Sequence, residues 1–436
     1  MNIGDQLTGR VKKIRAEECL WDSETGYSPQ NTNTPSRFGQ FNVANLNSPY
    51  GCSLSDLQPS PPSLPDINDK PETPGLMGMI SVSDGCGGGY SYWGSDDPIN
   101  GMRNPHITFR PSDSTMETEI GTEDCGNYTI TYGYDQYGNP IAKVTAKSSG
   151  SANTAKEIEK GINEALYDLA LDGYFSVPNN VIGAELANAY IDNRLKGLMG
   201  DMASYMAKNW GTIAKYFPDF KDPKTAFYHA TIGAAIGSEM GSVSDIGLNW
   251  GDLIISDPKY KMSEKDLKIT IGMAVSYNDK KYGTNMGFYS STDVNGNKTL
   301  GLVQVGNLIL ATIYAESASF NPDGIRHNLP NKDNGYTESW DLGLMQNNAK
   351  DKDKAIAAGY LDPIKSIFMG VGTMFNKVYL SPWKSKSGIA PSQENWMWAD
   401  YHYQGSGTAR QNAWNNMIKL SKKAPWIKPY NEKAAE

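Results

Sequence analysis

No stretch of this chain approaches the roughly 20 apolar residues that a membrane-spanning helix needs, so a helical membrane protein is not expected. Histidine and cysteine are both scarce, with 4 of each in 436 residues. No Cys-x2-4-Cys pair exists and only His106 lies near the cysteines, which speaks against a zinc site; no metal or other cofactor is expected. A block of one charge is also missing. The formal charge is -8 with both signs interspersed, whereas a nucleic-acid binder needs a basic face to compete for phosphates. The opening residues, MNIGDQLTGRVKK, carry neither the charged nor the apolar region of a secretory signal peptide. If the substrate lies outside the cytoplasm, a carrier has to bring the protein to it.

The cysteines that are present, Cys19, Cys52, Cys86 and Cys125, cluster toward the front of the chain. Disulfides in an extracellular Gly-rich domain are one reading, with three possible pairings that sequence does not choose among, and free buried thiols are the other. Composition divides the chain into three. Residues 1–150 are rich in Gly, Pro, Ser, Asn and Asp and read as a β domain of docking or binding type. Short β-like stretches fall at His106–Arg110 and Tyr128–Tyr134; the latter, with a turn at Asp135–Asn139 and a strand at Ile141–Ala146, predicts a hairpin. Upstream of these, Pro59, Pro61, Pro62, Pro65, Pro71 and Pro74 mark an extended loop or linker crossing a surface. The GCGGG run at 85–89 lacks a following Lys-Ser/Thr and a strand–loop–helix frame, so it is a weak nucleotide signal.

Residues 151–260 turn helical, with segments expected at 153–172, 179–197, 199–216 and 225–241, and read as a support region. Residues 261–436 predict further helices at 262–276, 306–318, 363–379, 393–401 and 407–422. Ser263 with Asp266 approximates a capping box, and Asn295-Gly296 signals a hairpin between Met286–Ser290 and Lys298–Val303. The expected fold class is therefore multidomain: a β-rich N-terminal domain, then a mainly α C-terminal region.

One residue in that last region carries chemistry. Glu316 lies in the final turns of the apolar run LILATIYAESASF, with Thr312, Ile309 and Ile313 on or beside its face. Desolvation without a nearby cation raises a carboxyl pKa, and a glycosidase keeps its general acid protonated near neutrality in this way. A Gly-Leu-Met-Gln turn, Gly343 to Gln346, follows downstream.

Taken together, YAESASF, SWDLGLMQ and the later YHYQGSG resemble the lytic transglycosylase and goose-type lysozyme superfamily, which cuts peptidoglycan. The family's Glu-Ser at a helix end with a nearby aromatic is matched by Glu316, Ser317 and Phe320, the aromatic falling one place later than usual. Its Gly-Leu-Met-Gln turn is matched by Gly343, Leu344, Met345 and Gln346. Its third block, Ala-Tyr-Asn-x-Gly, is met loosely by Tyr401, His402, Tyr403, Gln404, Gly405 and Gly407; anchored on the glycines, His402 stands at the family's Tyr and Tyr403 at its Asn. The resemblance covers about residues 300–425.

It implies an all-α lysozyme-like lobe with Glu316 as sole acid/base and glycan strands as substrate. It also implies substrate-binding roles for Ser317, Gly343, Leu344, Met345, Gln346, Tyr401 and Tyr403. Goose-type enzymes place aspartates on either side of the turn, where this chain has Thr337 and Asn348. Asp333 and Asp341 lie near but displaced, as possible second carboxylates. That pattern favours a transglycosylase over a hydrolase; a structural or adaptor protein with a degenerate lobe is the other alternative. The polar segment Asn321–Glu338 is expected to wall the glycan groove, with Arg326 and His327 available to acidic stem-peptide groups. Action in the periplasm or cell wall is implied, with delivery by a phage tail or a contractile secretion system through a carrier docked on residues 1–150.

Overall fold

The computed structural model describes residues 115–178, 184–289, 298–317, 320–330, 337–380, 390–404, 407–422 and 424–431, with strand segments 35–36, 39–42, 78–83, 89–94 and 291–292. The expected strand at His106–Arg110, the proline tract and the Gly-rich run at 85–88 lie outside the described residues. Two compact units result. One takes in β1 (Pro35–Ser36), β2 (Gly39–Asn42), β3 (Gly78–Ser83) and β4 (Gly89–Gly94), an antiparallel sheet in the order β1-β2-β4-β3.

The other unit contains Glu119–Tyr134, Pro140–Phe175 and the chain from Asp192 onward. It begins with a three-stranded sheet of β5 (Met116–Cys125), β6 (Tyr128–Asp135) and β7 (Pro140–Ala146), in chain order. β6 and β7 are the expected hairpin, paired from Tyr128↔Ala146 to Tyr134↔Pro140. Alternation buries Ile130, Tyr132 and Tyr134 of β6, and α1 (Ala152–Leu171) packs against β7, where Asn163 and Glu159 accept from the Ala142 and Val144 amides. That helix turns Ile158, Ile162, Leu166 and Leu169 inward at helical spacing.

Next comes α2 (Ala184–Tyr216), one continuous helix where the sequence suggested two. Gly197 and Gly200 fall at the expected junction, but Leu195, Leu198, Met199, Met202, Tyr205 and Met206 form one buried stripe across them, and tertiary burial outweighs a cost of about 1 kcal/mol per glycine. Asp222 caps α3 (Pro223–Glu239), accepting from the amides of Lys224 and Thr225. α4 (Glu264–Tyr282) starts on the expected capping box, Ser263 with Asp266, and stops at Gly283 in the left-handed conformation. α3 and α4 cross at two glycines: a Cβ on Gly233 would lie 2.6 Å from the Met273 amide, and one on Gly272 2.5 Å from the Gly233 carbonyl. Only residues without a side chain allow so close a crossing.

Of the expected second hairpin, 286–289 is not strand; pairing is confined to β8 (Ser291–Thr292) and β9 (Lys298–Thr299), and the second strand is cut short because α5 (Leu302–Ser317) begins earlier than the pattern suggested. Val303 and Val305 favour strand in isolation, yet the Val305 amide already donates to Gly301. From Leu302 to Ile313 this helix is buried all round, the mark of a central core helix. A third sheet follows: β10 (Ile325–Asn328), β11 (Ser339–Leu342) and β12 (Asn347–Ala349), antiparallel in chain order. α6 (Lys352–Ala357), α7 (Pro363–Leu380), α8 (Gln393–Tyr403) and α9 (Gly407–Leu420) complete the unit, with α9 against α5 and α8 against α7.

The described chain is thus mixed and mostly helical. The expected partition into a β-rich front and a mainly α rear is not a clean one, since β5–β7 pack with a helix and β10–β12 fall between α5 and α6, where an all-α lobe was implied. Those later strands are short and polar, with no alternation to betray them. No helix among the described residues is long and apolar enough to cross a membrane.

Candidate functional site

The buried run of α5 ends at Ile313, and its last turn emerges half-covered, carrying Tyr314 and Glu316. Ser317 stays buried and donates its hydroxyl back to the Ile313 carbonyl at 2.7 Å, so its side chain serves the helix end. Phe320 then turns the chain with φ +56°, fully buried, and stacks on Tyr314 with ring centroids 6.0 Å apart. The displaced aromatic of the motif anchors the exit from the helix.

This exit is laced to the glycine turn. The Gly324 carbonyl accepts from the Gly343 amide at 2.9 Å, and the Gln346 side-chain amide donates to Gly343 and Gly324 carbonyls at 2.8 and 3.3 Å. Gly343 to Gln346 is the hairpin turn between β11 and β12, closed by Gln346 N–H to Gly343 C=O at 3.0 Å. Gly343 adopts φ +75°, and a Cβ there would lie 2.4 Å from the Tyr360 carbonyl. Leu344 and Met345 are fully buried. Where the resemblance implied that they bind sugar, their side chains face the interior, and Gln346 is committed to backbone carbonyls.

Sheet register brings further groups in. Arg326 of β10, Asp341 of β11 and Asn348 of β12 stand directly opposite one another and so share a face. Asp341 accepts from the Asn328 and Asn348 side-chain amides at 2.7 and 2.8 Å. His327 and Trp340 occupy the other face, ring centroids 3.8 Å apart, with His327 2.7 Å from Glu338. Arg326 and His327, paired in the sequence expectation, therefore point apart. Asp333 lies outside the described residues.

Burial, reinforced by the nearby Asp341 charge and opposed by Arg326, pushes the Glu316 carboxyl up to about 7. Helix α8 closes the arrangement. It starts on a capping box of Ser392 and Asn395 and turns Asp400, Tyr403 and Gln404 to one side, three and four residues apart. The Tyr403 phenol donates to the Met345 carbonyl at 2.5 Å. Burial and the Glu316 and Asp341 charges hold that phenol well above its ordinary range.

Tyr401, two residues away, points elsewhere: its ring lies 3.5 Å under the Arg410 guanidinium and edge-on to His402. A helix turns about 200° in two residues, so Tyr401 and Tyr403 cannot form the single stacking face that the sequence suggested. Of the candidates, Glu316, Asp341, Tyr403 and the 343–346 turn come together; Ser317, Leu344 and Met345 serve packing. Asp400, which sequence reading missed, joins them. Its one signal is an acid amid the apolar Trp-Met-Trp-Ala run.

A cavity of about 340 Å³, lined by Asp201, Ser238, Ser242, Glu264 and Lys268 among others, includes none of these residues. Among the described residues no three His, Cys, Asp or Glu side chains are grouped to hold a metal. The site offers a carboxyl that carries a proton near neutrality, a second carboxylate fixed by two amides, and a neutral phenol. No family model, curated protein or solved structure matches the chain.

Proposed function

We propose that this chain is a peptidoglycan-cleaving muramidase that acts on the β-1,4 bond between N-acetylmuramic acid and N-acetylglucosamine, with Glu316 as general acid. The observation that carries the reading is a half-buried glutamate, raised to about 7, at a helix end tied through Gly324 to a Gly-Leu-Met-Gln turn. A general acid works best with a pKa close to the working pH and contributes roughly 10²–10⁴-fold to rate. The motif resemblance supplies the substrate class.

In the first reading the enzyme is a lytic transglycosylase. Glu316 protonates the glycosidic oxygen, and the resulting carboxylate then removes the proton of the muramoyl 6-hydroxyl as that oxygen closes a 1,6-anhydro ring. No water is consumed. The goose-type aspartate places, occupied here by Thr337 and Asn348, favour this course. A second reading, hydrolysis, is favoured by Asp341, which is held by Asn328 and Asn348 in the electrostatic reach of Glu316. An inverting hydrolase needs such a base to hold the attacking water. Glycan strands are the partner in either case. Action is proposed in the periplasm or cell wall, with a phage tail or secretion apparatus as carrier.

Mass spectrometry of digested sacculi decides among these. Anhydro-muropeptides from the wild type, and none from Glu316→Gln, are the expected result. Reducing ends, lost in Asp341→Asn, would select the hydrolase. No soluble product from an intact fold would leave a scaffold with a degenerate lobe.

A further inference from the structure

We propose that Asp400 is a positioning residue for Glu316, the two carboxyls forming a coupled acid pair that binds one proton between them at neutral pH. This rests on the reading of Glu316 as the acid of the site.

Two contacts locate Asp400. The Thr312 hydroxyl lies 3.5 Å from its Oδ1, and Thr312 stands four residues before Glu316, on the same face of α5 one turn deeper. On its own helix, Asp400 shares a face with Tyr403, whose phenol reaches the Met345 carbonyl in the glycine turn. Asp400 is therefore seated beneath Glu316, on the inner side of the same junction of α5, α8 and the turn.

Its surroundings do not suit a carboxylate. Asp400 is fully buried. Its Oδ1 accepts from the Gln404 side-chain amide at 2.5 Å. The Thr312 hydroxyl has a single hydrogen, which it donates to the Leu308 carbonyl at 2.9 Å, so its longer approach to Asp400 adds little. Among the described residues, Oδ2 is buried with no hydrogen-bond partner. A buried charge so poorly solvated is costly, and the group keeps its proton instead. Desolvation leads in raising Asp400 to about 7, Glu316 adds to it, and Gln404, Thr312 and Arg410 oppose it. Around Glu316 the charged or titratable groups are Asp341 and Arg326 from the β10–β11 sheet and Asp400 and Tyr403 from α8.

Two acids with overlapping ranges that repel when both are ionised lose their protons in two steps that belong to the pair. Removal of either carboxyl then lets the other ionise at lower pH. Asp400 would thereby keep Glu316 protonated at a pH where it otherwise would not be.

Infrared titration of protonated carboxyls in the full-length protein tests this without reference to activity. Wild type is expected to lose two carboxyl signals around neutrality. In Glu316→Gln the remaining signal, that of Asp400, moves to lower pH by about one unit or more; in Asp400→Asn that of Glu316 moves likewise. Glu316→Gln alone keeps the test decisive should Asp400→Asn fail to fold. An Asp400 step that stays in place in Glu316→Gln would overturn the proposal. Sacculus digestion separates the two readings: reciprocal shifts without cleavage retain the pair and remove the muramidase, whereas Glu316-dependent cleavage with independent titrations does the reverse.

Discussion

Glu316 illustrates how a single side chain can be costly to fold and useful to keep. Its carboxyl binds a proton more tightly in the native protein, at about 7, than an ordinary glutamate at 4.5. Between those values the native state holds a proton that the unfolded chain releases, so stability falls as pH rises from about 4.5 through 7 and is then level. Glu316→Gln removes that slope. Urea unfolding at pH 4 and pH 8 should show the variant gaining about 1–3 kcal/mol on wild type at the higher pH, a figure reduced for its partial exposure. Asp400 contributes a slope of the same sign, smaller in the variant because the Glu316 charge that helps to raise it is gone, so the difference reports Glu316 together with its coupling to Asp400. No gain at pH 8 would mean that the carboxyl is not held protonated by the fold.

At the scale of elements, the glycine turn is the joint on which the site depends. Gly343→Ala puts a methyl group into left-handed backbone and against the Tyr360 carbonyl and the Ser366 hydroxyl, which itself accepts from the Met345 amide at 3.1 Å. A loss of about 2–3 kcal/mol is expected in denaturant melts, with cleavage reduced as the turn shifts. An unchanged midpoint would show that the turn yields freely.

These elements were unequally legible. Helices with a buried stripe or a side-chain cap, such as α1, α4 and α9, stand out in the sequence because periodicity and capping are local. The sheet β10–β12 leaves no local trace: its strands are three or four residues long and polar, and β10 pairs with β11 across a ten-residue connection without alternation to mark either. Glu316 and the turn were found through motif spacing. Asp341 and Tyr403 stand in the motif blocks, but the strand register and helix face that bring them to Glu316 are not encoded there. Asp400 depends on the approach of α8 to α5 at Thr312, which no local pattern encodes, and Tyr401 and Tyr403 are separated by the turn of the one helix that carries both.

For the molecule as a whole, the two units differ in what can be asked of them. In the larger one, Cys125 is a free thiol buried at the end of β5, and burial pushes it up to about 12. Alkylation at pH 8 followed by peptide mapping should leave Cys125 unmodified in the native protein and modified in urea. Rapid native labelling would show that β5 opens readily. Cys19, Cys52 and Cys86, which figured in the disulfide reading, lie outside the described residues.

The central claim is that Glu316 delivers a proton to a wall glycan. The pH dependence of sacculus solubilisation, with Glu316→Gln as control, tests it most directly. The account predicts a wild-type rate that declines on the alkaline side with a midpoint near 7, and a variant at least ~10²-fold slower across the range. A wild-type rate that keeps rising above pH 8, or a variant as active as wild type, would contradict it.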